Sequence, residues 1–170
     1  MKKTSLLLLI VAITANVNIS NAQEETKPGF LPVYGVITVN NSKVKEAKVN
    51  VYDGNQLVQE IPASKRGEFA TDLALNKHYT FEFLAEGAVT KRIAVNTYIE
   101  KKNAPPVPFD CFVYLVLLEQ VEGSDISILD FPVALVRYNE KKKQFEPQLG
   151  YSMNMMKEYN KALSANKDSN

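Results

Sequence analysis

The chain has 170 residues and near-balanced charge, 20 Lys and Arg against 19 Asp and Glu, for a formal net charge of +1. That balance excludes the strongly basic face that a nucleic-acid partner calls for. A single cysteine, Cys111, excludes an internal disulfide, so stability has to come from packing.

The first residues read as an export signal. Lys2 and Lys3 precede an uncharged apolar run, Leu6 to Ile13, and Ser20-Asn21-Ala22 then offers the small residues of a cleavage site. The run is about half of the ~20 residues needed to span a bilayer, which disfavours a membrane anchor. No cysteine lies near the cut, which disfavours a lipid anchor. Residues 1–22 are therefore expected to be a signal peptide removed before Gln23, with the mature protein in the periplasm or at the cell surface. No later segment is long enough to cross a membrane; the richest, Cys111 to Leu118, is far too short. Removing residues 1–22 leaves 148, enough for one domain, with 18 basic residues facing 19 acidic ones. A free thiol outside the cytoplasm is a liability, so Cys111 is expected to be buried.

Residues 23–32 are polar, with Pro and Gly, and read as a leader. From Val33 the period is two: Val33, Gly35, Ile37 and Val39 share one face, Tyr34, Val36 and Thr38 the other. Ala47, Val49 and Val51 repeat this against Lys48 and Asn50. Asp53-Gly54-Asn55 supplies turn residues, so Ala47–Tyr52 and Gln56–Ile61 are expected to form a hairpin. A short strand begins at Gly67 and includes Phe69, the expected core anchor. Tyr79, Phe81 and Phe83 alternate with Thr80 and Glu82 in the next, and Val89, Lys91, Ile93 and Val95 continue the series. Short strands at close spacing with polar turns indicate an antiparallel sandwich or barrel.

Three prolines bar residues 101–108 from the middle of a sheet and make them a surface connection. Phe109 to Val121 follows as the most apolar strand. Phe112, Tyr114, Val116 and Leu118 fall on one face, Cys111, Val113, Leu115 and Leu117 on the other. Apolar residues on both faces predict cover on both sides, with the C-terminal extension as the second cover. Phe131 to Tyr138 reads as another strand, and Asn139 to Lys143 as a solvated turn. Tyr151, Met155, Tyr159 and Leu163 then recur every four residues, with Met156 and Ala162 alongside, predicting a helix over 151–163. Residues 164–170 lack any large apolar side chain and are expected to be disordered.

Gly35; Ala47, Val49, Val51; Gly67, Phe69; Leu73, Leu75; Tyr79, Phe81; Gly87; and Lys91, Ile93, Val95 together resemble the pattern of a carboxypeptidase regulatory-like domain. That family folds as a transthyretin-like (prealbumin) β-sandwich. The resemblance covers Gly35 to Thr97 and departs at Gly87, which precedes Ala88 instead of an aromatic residue. It implies an envelope or extracellular location and carries no catalytic residue to transfer. The C-terminal third, with Phe131-Pro132-Val133-Ala134 and Phe145 to Tyr151, looks like tails that accompany this domain in exported bacterial proteins. The expected fold is thus a mostly β, antiparallel transthyretin-like sandwich. Residues 33–99 form its core, 100–150 complete it, and a short helix ends it.

Residues that could carry chemistry are sparse. His78 is the only histidine and has no metal-ligand or triad spacing around it. It reads as a solvent-facing strand end. Asp110, Glu119, Glu122, Asp125 and Asp130 cluster around the apolar strand; a glycosidase would hold two carboxylates roughly 5–10 Å apart in a cleft, whereas solvated loop acids need no partner. Asp53-Gly54-Asn55 lacks the further ligands of a calcium loop, and Asn40-Asn41-Ser42 reads as a turn. Tyr34, Tyr52, Tyr98, Tyr114 and Tyr138 could stack on a sugar, but packing within the sheets is the plainer use of them. Met153, Met155 and Met156 give the helix a flexible apolar stripe.

No catalytic, cofactor-binding or metal-ligating residue is assigned, and the chain is expected to be no enzyme. The expected function is a non-catalytic binding or scaffolding module whose partner is another envelope or surface protein. A carbohydrate-binding module for cell-wall or dietary polysaccharide is the alternative, and a small hydrolase the third.

Overall fold

The computed structural model describes residues 29–40, 42–44, 46–100, 112–119 and 131–167. The expected signal peptide, residues 23–28 of the expected leader, the proline-rich 101–108, Cys111 and residues 168–170 lie outside the described residues. In chain order the strands are β1 (Phe30–Val39), β2 (Ser42–Lys43), β3 (Ala47–Asp53), β4 (Gln56–Pro62) and β5 (Glu68–Ala74). They continue with β6 (His78–Ala85), β7 (Lys91–Asn96), β8 (Phe112–Leu118), β9 (Pro132–Asn139) and β10 (Gln144–Pro147), before helix α1 (Leu149–Lys167).

These strands make a β-sandwich. In the four-stranded sheet, β1 is central: β5 and β2 pair with it along one edge, and β8 along the other. The six-stranded sheet has the order β10-β9-β7-β6-β3-β4. The period-two faces read from sequence are the faces that meet. Leu31, Val33 and Ile37 of β1, Val49 and Val51 of β3, Phe81 and Phe83 of β6, and Ile93 and Val95 of β7 are buried together. β1 begins before the expected Val33 because Leu31 extends the same alternation inward.

The expectation of a purely antiparallel sandwich is corrected: β8 runs parallel to β1, and β9 parallel to β7. Alternation reports which face is buried and says nothing of a neighbour's direction. A parallel neighbour also needs a long crossover, so it is remote in sequence, as Phe112 is from Val33.

The β3–β4 hairpin is as expected. Asp53 stands opposite Gln56, and Gly54 takes φ +60° at the first loop position, where a II′ turn favours glycine. Gly67 has φ +82°, and the Ile37 N–H donates to its carbonyl at 2.8 Å. A methyl group there would collide with the Ile37 backbone. Phe69 follows, buried against Phe83 and Phe81 with ring centroids 5.6 and 6.5 Å apart. Its ring occupies the space that Gly35 leaves by lacking a side chain. The first-strand glycine and the Gly-x-Phe turn are thus two halves of one contact.

Two expectations about the C-terminal third are corrected. On β8, Val116 and Leu118 are buried, but Leu117 on the opposite face is 37% exposed, so that face is not covered throughout. The helix packs on β9 instead. The reason lies in its attachment: the Gln148 N–H donates to the Leu135 carbonyl at 2.8 Å, and the Tyr151 hydroxyl to the Pro132 carbonyl at 2.9 Å. These bonds tie the first turns of α1 to β9, and further along the helix Tyr159 meets Glu119, just past the end of β8. Against the expectation of disorder from residue 164 onward, the helix also continues through residues 164–167. No glycine or proline interrupts it there, and the Ser164 hydroxyl bonds the Asn160 carbonyl one turn back.

Candidate interaction surface

On the outward side of the six-stranded sheet, alternation that buries Val49, Val51, Phe81, Phe83 and Ile93 presents Asn50, Tyr52, Glu82 and Arg92. Register places Asn50 opposite Glu82, and Glu82 opposite Arg92. The Glu82 carboxylate accepts from Arg92 Nε at 3.0 Å and Nη2 at 2.6 Å on one oxygen. It accepts from Asn50 Nδ2 and the Tyr52 hydroxyl, each at 3.1 Å, on the other. Burial pushes the Glu82 pKa up, but the hydrogen bonds from Arg92, Asn50 and Tyr52 outweigh it and hold the group below the ordinary carboxylate range. Asn50 Oδ1 is buried and has no hydrogen-bond partner among the described residues. One strand further out, Lys48 pairs with Glu60 at 2.7 Å. Together these side chains form a polar row across β4, β3, β6 and β7.

Beside the row, at the sheet end where β3 starts, lies a cleft of about 480 Å³. It is lined by the apolar Ala47, Pro62, Ala63, Leu84 and Ala85 and by the charged Glu46, Lys48 and Glu86. Both acids are exposed, and neither is in an ion pair among the described residues. Among the described residues, β3, β4 and β6 have their most extensive contacts with one another and with β7, within the same sheet.

A second cluster is structural. Lys91, inward-facing as the alternation predicts, bonds the Leu117 carbonyl and pairs with Glu119 at 3.2 Å. Its ammonium lies 4.8 Å from the centre of the Tyr159 ring, and the Tyr159 hydroxyl donates to Glu119 at 2.8 Å. Burial first, and the Glu119 carboxylate second, push the Tyr159 hydroxyl well above the ordinary phenol range. The cluster joins β7, the end of β8 and α1.

His78 is exposed at the start of β6, where its carbonyl accepts from Gly54 N–H at 3.3 Å. Of the carboxylates around the apolar strand, Glu119 belongs to the Lys91 cluster, while Asp110, Glu122, Asp125 and Asp130 lie outside the described residues. Asp53 is held by Lys77 as part of the hairpin end. Asn40 takes φ +48° in the turn to β2. The tyrosines do not share a face. Tyr138 is buried edge-on to Phe145, Tyr114 is half-buried beside the core, Tyr52 holds Glu82, and Tyr98 is exposed. Met156 packs on the core, whereas Met153 is exposed. Among the described residues, no three His, Cys, Asp or Glu come together as a metal site would require.

No family model matches the chain, and no curated protein matches it. Solved structures align with it only distantly, three of them as follows. The Bacillus anthracis TIE protein aligns at 18% identity over 54% of this chain and 17% of its own, with a TM-score of 0.36. Catechol 1,2-dioxygenase from an Acinetobacter species aligns at 15% over 65% of this chain and 59% of its own, with a TM-score of 0.44. The 3-chlorocatechol 1,2-dioxygenase of Rhodococcus opacus aligns at 8% over 58% and 62%, with a TM-score of 0.41. This chain thus spans less than two thirds of each. The expectation that the chain is no enzyme is corrected here. Two of these structures are dioxygenases, so the exclusion is withdrawn, while identities of 15% and 8% establish no activity. The carboxypeptidase regulatory-like resemblance is supported only as far as the β-sandwich.

Proposed function

We propose that this chain is an exported binding or scaffolding module of the cell envelope, built on a carboxypeptidase regulatory-like sandwich. Its partner, another envelope protein, meets the outward side of the six-stranded sheet. The observation that carries the reading is the cleft, lined by apolar side chains and by two exposed acids, Glu46 and Glu86, beside an ordered polar row on the outward side of the six-stranded sheet. Such a lining suits a basic side chain whose aliphatic stem rests on its apolar part. Export is supported by the order of Lys2-Lys3, the apolar run and Ser20-Asn21-Ala22.

Two measurements test it. Intact mass of the protein from its native host should give a chain starting at Gln23; a form retaining residues 1–22 overturns the export reading. Cross-linking in the native envelope should capture a defined partner, and Glu46→Lys with Glu86→Lys should abolish that capture while melting stays unchanged. Capture that survives both charge reversals would remove the cleft from the interface.

A further inference from the structure

Lys48, the cation in the cleft lining, is drawn away from the two acids beside it. Alternation places Glu46, Lys48 and Asn50 on the outward side of the sheet, and Glu82, Leu84 and Glu86 likewise on the neighbouring strand. Lys48 stands opposite Leu84, and the Glu86 N–H donates to the Glu46 carbonyl at 3.4 Å, which carries the register one step past Ala47 and Ala85. Two carboxylates therefore face each other across neighbouring strands, a placement that costs stability unless a cation comes between them. Lys48 is two residues from Glu46 along the chain and diagonal to Glu86, so it is placed to do this. Its ammonium lies instead 2.7 Å from Glu60 of β4.

The polar row explains this choice. Glu60 stands opposite Asn50 in the regular part of the β3–β4 ladder, ahead of the register shift between Val51 and Tyr52. Asn50 Nδ2 is committed to Glu82, as are the Tyr52 hydroxyl and Arg92. Among the described residues, Lys48 is then the side chain that donates to Glu60. We propose that Glu60 is a positioning residue: by holding Lys48, it leaves Glu46 and Glu86 open to a cationic side chain of a partner. The inference rests on the reading of the cleft as the partner site.

The charge of the cleft thus follows from how donors are shared along the row. Glu82 takes those of Asn50, Tyr52 and Arg92, Glu60 takes Lys48, and the two acids at the end of β3 and β6 are left for an incoming cation. The Lys48 and Glu60 side chains are 45% and 55% exposed, so their ion pair is weak and exchanges readily. Without Glu60, Lys48 has the cleft acids within reach and nothing to hold it back from them. It would then neutralise part of the lining and compete with the partner for the same carboxylates.

Zero-length carbodiimide coupling joins an amine to a carboxylate that it touches, and peptide mass spectrometry of the coupled full chain then reads where Lys48 lies. The parent should give Lys48 joined to Glu60, and Glu60→Gln should give Lys48 joined to Glu46 or Glu86. Acetyl-arginine amide serves as the cationic probe, followed by the backbone amide resonances of Ala47, Ala63 and Ala85. It should bind the parent, bind Glu60→Gln on the order of threefold more weakly, and regain the parent affinity when Lys48→Met is added to Glu60→Gln. A purely structural role for Glu60 would not be rescued by removing Lys48. Melting temperatures of the three proteins should agree closely, since the pair is exposed. The proposal is overturned if Lys48 in Glu60→Gln never couples to Glu46 or Glu86, or if the parent does not bind the probe. It is equally overturned if Glu60→Gln leaves the affinity unchanged or Lys48→Met fails to restore it. Should all of these results appear while partner capture survives Glu46→Lys and Glu86→Lys, the cleft reading fails and the role of Glu60 stands. Capture abolished by those reversals, with Lys48 unmoved in Glu60→Gln, overturns the role of Glu60 alone.

Discussion

Replacing Gly35 tests how the two sheets are keyed together. A methyl group on Gly35 would overlap the Phe69 ring and lie 3.0 Å from the Tyr114 carbonyl oxygen. Neither has room to retreat, because Phe69 is 4% exposed and boxed in by Phe81 and Phe83, and Tyr114 is paired with Gly35 in the β1–β8 ladder. Overpacking of this kind costs about 1–3 kcal/mol. Phe69→Ala removes the ring and leaves a cavity, at about 3–5 kcal/mol. For a domain of this size that lowers the melting temperature on the order of 10 °C. The double variant is the informative one. With the ring gone, the methyl added by Gly35→Ala has space and fills part of the hole, so Gly35→Ala with Phe69→Ala should be less destabilised than the sum of the singles. Urea unfolding of the four proteins, compared at equal m-values, reads the coupling. Additivity within about 0.5 kcal/mol would refute the contact between Gly35 and Phe69.

Gly67→Ala should cost at least about 2 kcal/mol, since it adds a collision with the Ile37 backbone to the strain of φ +82°. Gly54→Ala, with open space around it and only φ +60° to resist, should cost about 1 kcal/mol; equal losses in chemical denaturation would contradict the contrast. Glu82→Gln should destabilise by about 1–3 kcal/mol at neutral pH. Because the folded Glu82 pKa lies below the unfolded value, its contribution is complete above about pH 4.3 and is lost as pH falls through the folded pKa. The gap between parent and variant should therefore close in acid, and a gap that stays constant in denaturation series from neutral to acidic pH would count against the network. Tyr159→Phe should cost about 1–2 kcal/mol by removing one of the two donors to Glu119, and Tyr159→Ala about 3–5 kcal/mol; a helix whose truncation at this position leaves unfolding untouched is not part of the core.

The sandwich was legible wherever a strand has one wet and one dry face. Val33 to Val39, Ala47 to Ile61, Tyr79 to Phe83 and Lys91 to Val95 all alternate, and turn chemistry at Asp53-Gly54-Asn55 marked the hairpin between two of them. Strand direction and helix placement were not legible. β8 and β9 find parallel partners far away in sequence, and α1 is seated by backbone bonds to β9 that no side-chain pattern announces. The polar row was missed for a related reason. Asn50, Glu82 and Arg92 each sit at an ordinary outward position, and only cross-strand register brings them together. Alternation pairing Lys91 with Ile93 and Val95 was the available sign of a buried cation. Its partners, Glu119 and Tyr159, come from elements that follow it in the chain.

The parallel pairing of β8 with β1 sets an order of events for the growing polypeptide. β1 is made well before β8, and from Val33 to Val39 one of its sides stays unsatisfied until Phe112 to Leu118 has emerged. Over that interval β1 and β5 can already associate, and β3, β4, β6 and β7 can build their own antiparallel ladder from local turns. Closure then waits for a contact of long sequence separation, the kind that slows folding most. Chains stalled or cleaved before Phe112 would be left with an unpaired β1 backbone. Such fragments should be favoured clients for chaperones and proteases, and a ready source of aggregate.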